Sequence, residues 1–138
     1  MQRFIKFSKR AGVEWTAAPD VKKKLYRLAN LLELGWIKTS RIFCVRSIGT
    51  KTRAIARIWG LGRVWQLALR QKPAYIIEVI SERYDRLGEE EKDKVLLHEI
   101  SHIPKNFSGA LLPHIRRGKR SFHDKVKILV AQYSKARK

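Results

Sequence analysis

The 138-residue sequence predicts an α+β fold, and three observations support that prediction. Apolar residues spaced three and four positions apart occur near both ends of the chain, which is typical of amphipathic helices. Short segments between them are rich in β-branched residues, which favour strands. The composition is 44% hydrophobic and includes four tryptophans, which is sufficient for a packed core, and no repeat or flexible linker divides the chain. We therefore expect a single domain spanning residues 1–138.

The N-terminal part is predicted to be a basic arm followed by a helix. Residues 1–18 show no clear period, and we expect an irregular or strand-like arm there. Pro19 and Asp20 favour a helix start, because proline and acidic residues suit the first helical turn. The apolar residues that follow at helical spacing are Val21, Leu25, Leu28 and Leu32. Gly35 is expected to end this helix.

The middle of the chain is predicted to supply the sheet. Residues 40–47 indicate a strand, a turn follows at 48–51, and residues 52–59 alternate in the manner of a second strand. These two strands are expected to form a hairpin. Residues 64–70 are compatible with either a third strand or a short helix, whereas residues 75–80 are rich in isoleucine and valine and predict a strand.

Two helices are predicted in the C-terminal part, separated by a loop. Gly88 precedes three glutamates that suit the positive end of a helix. Pro104 is expected to end that helix directly after Ile103. Prolines and glycines within residues 104–120 indicate a loop. Ser121 and Asp124 resemble a capping box that opens the last helix. The predicted buried face of that helix consists of Val126, Leu129, Val130 and Tyr133.

The net charge of +19 is unevenly distributed along the chain. Residues 1–72 contain 17 basic and 3 acidic side chains, residues 73–103 contain 4 and 8, and residues 104–138 contain 10 and 1, for charges of +14, −4 and +9. Two basic flanks of this kind attract polyanions, and nucleic acid is therefore an expected partner.

The single Cys44 excludes an internal disulfide and a cysteine-only zinc site, and we expect it to be a small buried side chain. No run of 18 apolar residues occurs, and the basic N-terminus lacks the apolar segment of a secretory signal. We therefore expect a cytoplasmic protein with no membrane partner.

The sequence HEISH at residues 98–102 contains two of the four histidines of the chain. Helix positions four apart lie on the same face, so His98 and His102 can present two imidazoles to one metal ion. Glu99 lies about 100° further round the helix axis and can reach a water bound to that ion. Zinc lowers the pKa of such a water to about 7, and a nearby carboxylate can accept its proton. The motif therefore predicts a zinc site with Glu99 as the catalytic general base.

A catalytic zinc ion normally has three protein ligands and one open position. His114 and His123 are the candidates for the third ligand, because all four histidines lie between positions 98 and 123. The loop after His102 is long enough to return His114 to the ion, which makes His114 the preferred ligand. His123 is the alternative third ligand. If His114 binds the ion, His123 is expected to support the ligands without binding the metal itself. An acidic ligand such as Glu78 or Glu82 is a further alternative.

The segment HEISHIPKNFSGALLPH, residues 98–114, resembles a family of archaeal and phage metallopeptidases in which HExxH is followed by a similar I-P, F-S-G and P-H pattern. The segments CVRSIGTKTRAIARIWG and YIIEVISERYD resemble the same family, so the resemblance covers most of residues 40–130. That family is similar to the SprT-like zincins, whose third zinc histidine lies in a loop before the final helix, as His114 does here. SprT-like proteins continue with glycine where this chain has Ile115, and His123 therefore stays open as an alternative.

The resemblance implies a zincin-like fold. In such a fold an N-terminal helix packs on a sheet of three or four strands, the HExxH helix crosses the sheet, and a C-terminal helix closes it. One edge strand pairs with an extended peptide substrate, and residues 52–59 and 64–70 are the candidates for that strand.

The resemblance also implies zinc-dependent hydrolysis of peptide bonds, with Glu99 as the general base. His123, or one of Arg116, Arg117 and Arg120, is a candidate for stabilising the oxyanion. SprT-like proteins act on proteins attached to DNA, which the basic charge would suit, so substrates associated with nucleic acid are expected. The alternative is a basic nucleic-acid-binding module in which the zinc is structural.

Overall fold

The computed structural model of the protein describes residues 6–10, 12–114 and 122–137. The predicted α+β class is confirmed. The elements, in chain order, are β1 (Lys6–Arg10), β2 (Val13–Ala17), α1 (Pro19–Leu31), a 3₁₀ turn (Thr39–Arg41), β3 (Ile42–Ile48), β4 (Ala56–Gly60), α2 (Arg63–Leu69), β5 (Tyr75–Ile80), α3 (Ser81–Tyr84), α4 (Glu89–Ile100) and α5 (Phe122–Arg137).

The sheet has five strands in the order β1-β2-β3-β5-β4, where three or four were expected. The additional strands come from the N-terminal arm, in which β1 and β2 form an antiparallel hairpin. Gly12, with a φ of +80°, supplies the left-handed conformation that the turn between them uses. β2 continues antiparallel to β3, β3 pairs parallel with β5, and β4 pairs antiparallel with β5 at the far edge. The arm is therefore part of the sheet.

The predicted hairpin between residues 40–47 and 52–59 is wrong, because β5 lies between β3 and β4. β5 is the most apolar strand, and a buried strand needs a neighbour on each side to satisfy its backbone. β4 also begins only at Ala56. The hydroxyls of Thr50 and Thr52 accept hydrogen bonds from backbone N–H groups two residues further on, at 3.4 and 3.2 Å, in place of strand pairing.

Helix α1 ends at Leu31 rather than at Gly35, and Glu33 adopts the left-handed conformation with a φ of +52°. The N–H of Leu34 donates to the carbonyl of Ala29 at 2.9 Å, which closes a Schellman-type cap. Leu34 is buried in the core, so its apolar contact favours this end over the glycine predicted from the sequence. Among the described residues, no helix has the length and apolar character needed to cross a membrane.

The core lies between one face of the sheet and helices α1, α4 and α5. Its largest fully buried aliphatic side chains are Leu25, Leu28, Ile42, Ile77, Leu96, Leu97, Ile100 and Ile103. Cys44 of β3 belongs to this core, as predicted, and burial raises the pKa of its thiol to about 12.

Asp93 of α4 joins the three helices. Its carboxylate accepts hydrogen bonds from the guanidinium of Arg27 on α1 at 3.1 Å and from the hydroxyl of Tyr133 on α5 at 2.7 Å. On the predicted buried face of α5, Leu129 and Tyr133 are buried, and the two valines are half-buried. α4 is therefore held against both neighbours along the length that precedes HEISH.

Candidate metal centre

Helix α4 begins at the predicted position but ends earlier than predicted, at Ile100 instead of beside Pro104. The N–H of His102 donates to the carbonyl of Glu99 at 3.1 Å, three residues back, so the chain tightens after the helix. The proline disfavours helical conformation in the residue before it, which is consistent with this early end. His98 therefore lies in the last turn of α4, and His102 lies in the tight turn that follows.

This turn and the loop after it bring three imidazoles together. One nitrogen from each of His98, His102 and His114 lies within 4.8 Å of those of the other two. The Nε2 atoms of His98 and His114 are 3.3 Å apart. Two nitrogens on one tetrahedral zinc ion are separated by about 3.3 Å when each bond is roughly 2.0–2.1 Å long. The donor atoms and the separation of this pair therefore fit a tetrahedral metal ion, and the three histidines could hold one.

The loop that carries His114 is fastened to His102 by two hydrogen bonds. The backbone N–H of Leu112 donates to the carbonyl of His102 at 2.7 Å. In return, Nδ1 of the His102 ring lies 2.6 Å from the carbonyl oxygen of Leu112. A carbonyl oxygen can only accept, so Nδ1 carries the proton and Nε2 keeps its lone pair. This is the tautomer that a metal ligand needs, and its orientation is set by the backbone.

The same loop is fastened to the sheet and to α2. The hydroxyl of Tyr75 donates to the carbonyl of Ala110 at 2.9 Å and accepts from the N–H of Gly109 at 2.8 Å. The side-chain amide of Gln66 donates to the carbonyl of Ser108 at 2.8 Å. Gly109 has a φ of +94°, and a Cβ there would lie 2.2 Å from the carbonyl oxygen of Leu61. The position of His114 therefore depends on contacts that are remote in sequence.

Phe122, at the start of α5, packs against all three imidazoles. Its ring stacks on His102 with the centroids 4.1 Å apart, and it meets His114 and His98 edge-on at 4.6 and 4.9 Å. Phe122 is buried, so these contacts restrict rotation of the three rings. His123 is exposed, and its ring centroid is 6.4 Å from that of His114. It is not part of the group of three.

The environment favours the neutral form of two of these imidazoles, those of His98 and His102. Burial lowers the pKa of His98 to about 4, with a smaller contribution from the neighbouring histidines. Burial also lowers the pKa of His102, and its hydrogen bond to Leu112 opposes that shift only in part. Neutral imidazole is the form that binds metal, so these two rings need not lose a proton near neutral pH in order to ligate.

Glu99 follows His98 on α4 and is 7% exposed. Burial raises the pKa of its carboxyl group to about 8. No described residue forms a hydrogen bond with this carboxyl group, so its oxygens are free to meet a ligand in the cleft that it lines. A cation beside Glu99 would favour the ionised form, because an opposite charge stabilises a carboxylate that burial disfavours.

The three histidines and Glu99 lie in a cleft of about 940 Å³. One wall is α4, the second is the loop at residues 111–114, and the third is formed by residues 53–58, which include the start of β4. Two segments, residues 52–59 and 64–70, are predicted as candidates for the edge strand. The first contains β4, which lines the cleft, whereas residues 63–69 form helix α2.

The free edge of β4 faces away from β5. The carbonyl of Ile55 accepts from the N–H of Ile80, and the N–H of Leu61 donates to the carbonyl of Ala74. Bonds alternate along an antiparallel strand, so the intervening even-numbered residues direct their N–H and C=O groups outward. Ala56 and Ile58 are the two that line the cleft.

The acidic alternatives for the third ligand lie elsewhere. Glu78 is held on the opposite face of the sheet, where Arg57 donates to it at 2.9 and 3.1 Å and Trp59 Nε1 donates at 3.0 Å. Glu82 accepts a hydrogen bond from the N–H of Gly49 at 2.7 Å. The position of Ser121 and the three arginines considered for the oxyanion, at 116, 117 and 120, lie outside the described residues.

Sequence reasoning missed Tyr75, Gln66 and Phe122, which support the three histidines. Tyr75 is one of several apolar positions of a buried strand, and Gln66 is one polar residue in an ambiguous segment. Only Phe122 had a local signal, because it lies beside His123 at the start of a predicted helix. Their roles depend on which segments meet, and no spacing along the chain encodes that.

Replacing Tyr75 with phenylalanine is expected to weaken metal binding by on the order of tenfold, because outer-shell groups of this kind typically contribute 10–100-fold. The substitution removes both hydrogen bonds to residues 109 and 110 and keeps the ring. Competition with a chromogenic chelator measures the affinity. Tyr84→Phe is the matched control, because the buried hydroxyl of Tyr84 has no hydrogen-bond partner among the described residues. Equal metal affinity of Tyr75→Phe and wild type would contradict the supporting role.

Comparison with known proteins places these features in one family. A family model described as "Putative phage metallopeptidase" matches residues 13–129, which include β2, the cleft, the three histidines and the first half of α5. No curated protein and no solved structure matches the chain significantly. The similarity to SprT-like zincins stays a prediction. The chain belongs to the family described as putative phage metallopeptidases, as the matched residues cover most of its length.

Proposed function

We propose that this protein is a zinc-dependent peptidase in which His98, His102 and His114 bind the metal and Glu99 is the general base. One observation carries the proposal. Three imidazole nitrogens lie within 4.8 Å of one another in a cleft that also contains a buried carboxyl group. The family description supports a metallopeptidase, and an all-nitrogen donor set favours zinc among the common divalent ions.

The open side of the site supports a catalytic metal ion rather than a structural one. Structural zinc sites use four protein ligands, whereas catalytic sites use three and leave a position for water or substrate. His114 is exposed and lines the cleft, and the described residues offer no fourth histidine, cysteine or carboxylate to the group. The alternative of a nucleic-acid-binding module with a structural zinc is therefore less well supported.

Substrate binding is proposed to use the free edge of β4. An extended peptide can pair with the outward N–H and C=O groups of Ala56 and Ile58, which places its backbone along the cleft. This pairing would hold a peptide carbonyl next to the three histidines, while the side chains of the peptide alternate between the cleft and solvent.

The chemistry then divides between the metal and Glu99. A bound zinc ion supplies Lewis acidity, which makes water nucleophilic near neutral pH and polarises the peptide carbonyl. Glu99 accepts the proton of the attacking water and passes it to the leaving amine. His123, exposed beside His114, is the described candidate for donating a hydrogen bond to the developing oxyanion.

Preference for proteins associated with nucleic acid stays a prediction. It is supported by the net charge of +19, which would concentrate the protein near polyanions.

The test is metal-dependent cleavage of an unfolded protein. Zinc-loaded protein is expected to cleave a fluorescently labelled, reduced and alkylated protein. Removal of the metal by a chelator should bring the rate down to that of buffer, and stoichiometric zinc should restore it. Mass spectrometry of the products identifies the cleaved bonds. If fully loaded protein, with zinc verified by elemental analysis, leaves unfolded proteins and a random peptide library intact, the peptidase proposal is wrong.

A further inference from the structure

Helix α2 presents an apolar surface that no described residue covers. Its exposed large apolar side chains are Val64, Trp65, Leu67 and Leu69, with exposed fractions of 78%, 64%, 63% and 52%. The one buried side chain is Gln66, whose amide donates to the carbonyls of Leu61 and Ser108. α2 is therefore attached to the rest of the protein through a polar residue, the reverse of an ordinary surface helix.

The apolar side chains cover most of the outer circumference of α2. At about 100° per residue, residues 64, 65, 67, 68 and 69 span an arc of about 200°. The remaining arc carries Gln66 and Arg63, and Arg70 follows the helix in the left-handed conformation. The apolar arc thus points away from the body of the protein, and the two arginines lie at the ends of the helix.

Basic residues lie at both ends of this helix. Arg63, Arg70 and Lys72 are exposed and form no ion pair with any described residue. A second apolar hollow of about 290 Å³ lies next to α2 and contains Phe43, Trp59 and Ile76 in its lining. It also includes Leu61 and Gln71, which flank the helix on either side.

We propose that α2 and its basic surroundings dock on the surface of an anionic phospholipid bilayer. The apolar arc would enter the boundary between headgroups and acyl chains, and the arginines would contact the phosphates. The expectation of no membrane partner rested on the lack of an apolar run long enough to cross a bilayer. That criterion does not detect a short helix whose apolar side chains project from a folded domain.

Three features favour a bilayer over other partners. The aliphatic Val64, Leu67 and Leu69 can neither stack on bases nor bond to phosphates, which disfavours nucleic acid. A second copy of the chain would bring like charges together. The arc of about 200° is wider than the stripe of about 100° that is typical of a helix packed on one protein surface, and a fluid bilayer interface can cover the wider arc.

Co-sedimentation with vesicles tests this proposal. The wild-type protein is expected to bind vesicles made of equal parts phosphatidylcholine and phosphatidylglycerol, and to bind phosphatidylcholine vesicles weakly. Leu67→Ser with Leu69→Ser should weaken binding to the anionic vesicles at least about tenfold, because two large apolar side chains are lost from the interface. Trp65→Ser serves as a second, independent variant. Both changes lie on exposed positions, and circular dichroism verifies the fold.

Ile128→Ser is the matched control, because Ile128 is 58% exposed on α5 and lies outside this surface. It should bind as wild type does. The proposal is overturned if the double variant binds anionic vesicles as tightly as wild type, since charge alone would then explain binding. It is equally overturned if wild type binds no vesicles. A wild-type dimer that the double variant converts to a monomer, measured by light scattering, would assign α2 to a second copy instead.

Discussion

Glu99→Gln is expected to lower peptide cleavage by about two to four orders of magnitude and to leave bound zinc unchanged. Glutamine preserves the size and burial of the side chain but cannot accept a proton from water. The three histidines make the metal contacts in the proposed site, so zinc content should stay stoichiometric. Initial rates on a fluorogenic peptide, with zinc measured by elemental analysis on the same preparation, provide the two readouts.

Glu91→Gln is the control for this experiment. Glu91 also lines the cleft, but it lies in the first turn of α4 and its side chain is 63% exposed. The same chemical change there should leave the rate within a factor of a few of wild type. If Glu99→Gln retained the wild-type rate, another group would have to serve as the base. Loss of zinc in Glu99→Gln would instead indicate that the carboxylate is a ligand.

His114→Ala is expected to weaken zinc binding by more than about a hundredfold, which exceeds the usual effect of outer-shell groups. The variant leaves only His98 and His102, and two nitrogens do not complete a catalytic set. His123→Ala should bind zinc within a few-fold of wild type, because its ring centroid is 6.4 Å from that of His114 and it is not part of the group of three. Isothermal titration in the presence of a competing chelator measures both affinities.

The pair of variants separates the two predicted ligands directly. Wild-type affinity in His114→Ala together with a large loss in His123→Ala would reverse the proposed assignment. Equal losses in both would indicate that the two histidines act together. Circular dichroism of each variant without metal verifies that the loop change leaves the core intact, since the core side chains pack independently of His114.

Local patterns in the sequence determined the α+β class, most of the helices and the place of the metal motif. HEISH spaces two histidines four residues apart at the end of a predicted helix, and helical spacing is enough to predict that they share a face. The start of α4 after Gly88 and the buried residues of α5 follow in the same way from capping and helical periodicity. These features can be predicted from the sequence because the interactions that cause them lie within one or two helical turns along the chain.

Tertiary structure alone decided the strand order, the supports of His114 and the outward face of α2. β5 separates β3 from β4 because a buried strand needs two neighbours, and no short-range signal specifies which strands those are. Tyr75 and Gln66 reach the loop at residues 108–110 only after the sheet has assembled. The 64–70 segment stayed ambiguous for a related reason. Its apolar residues match neither a core-facing helix nor a strand, because in the folded protein they face away from the core.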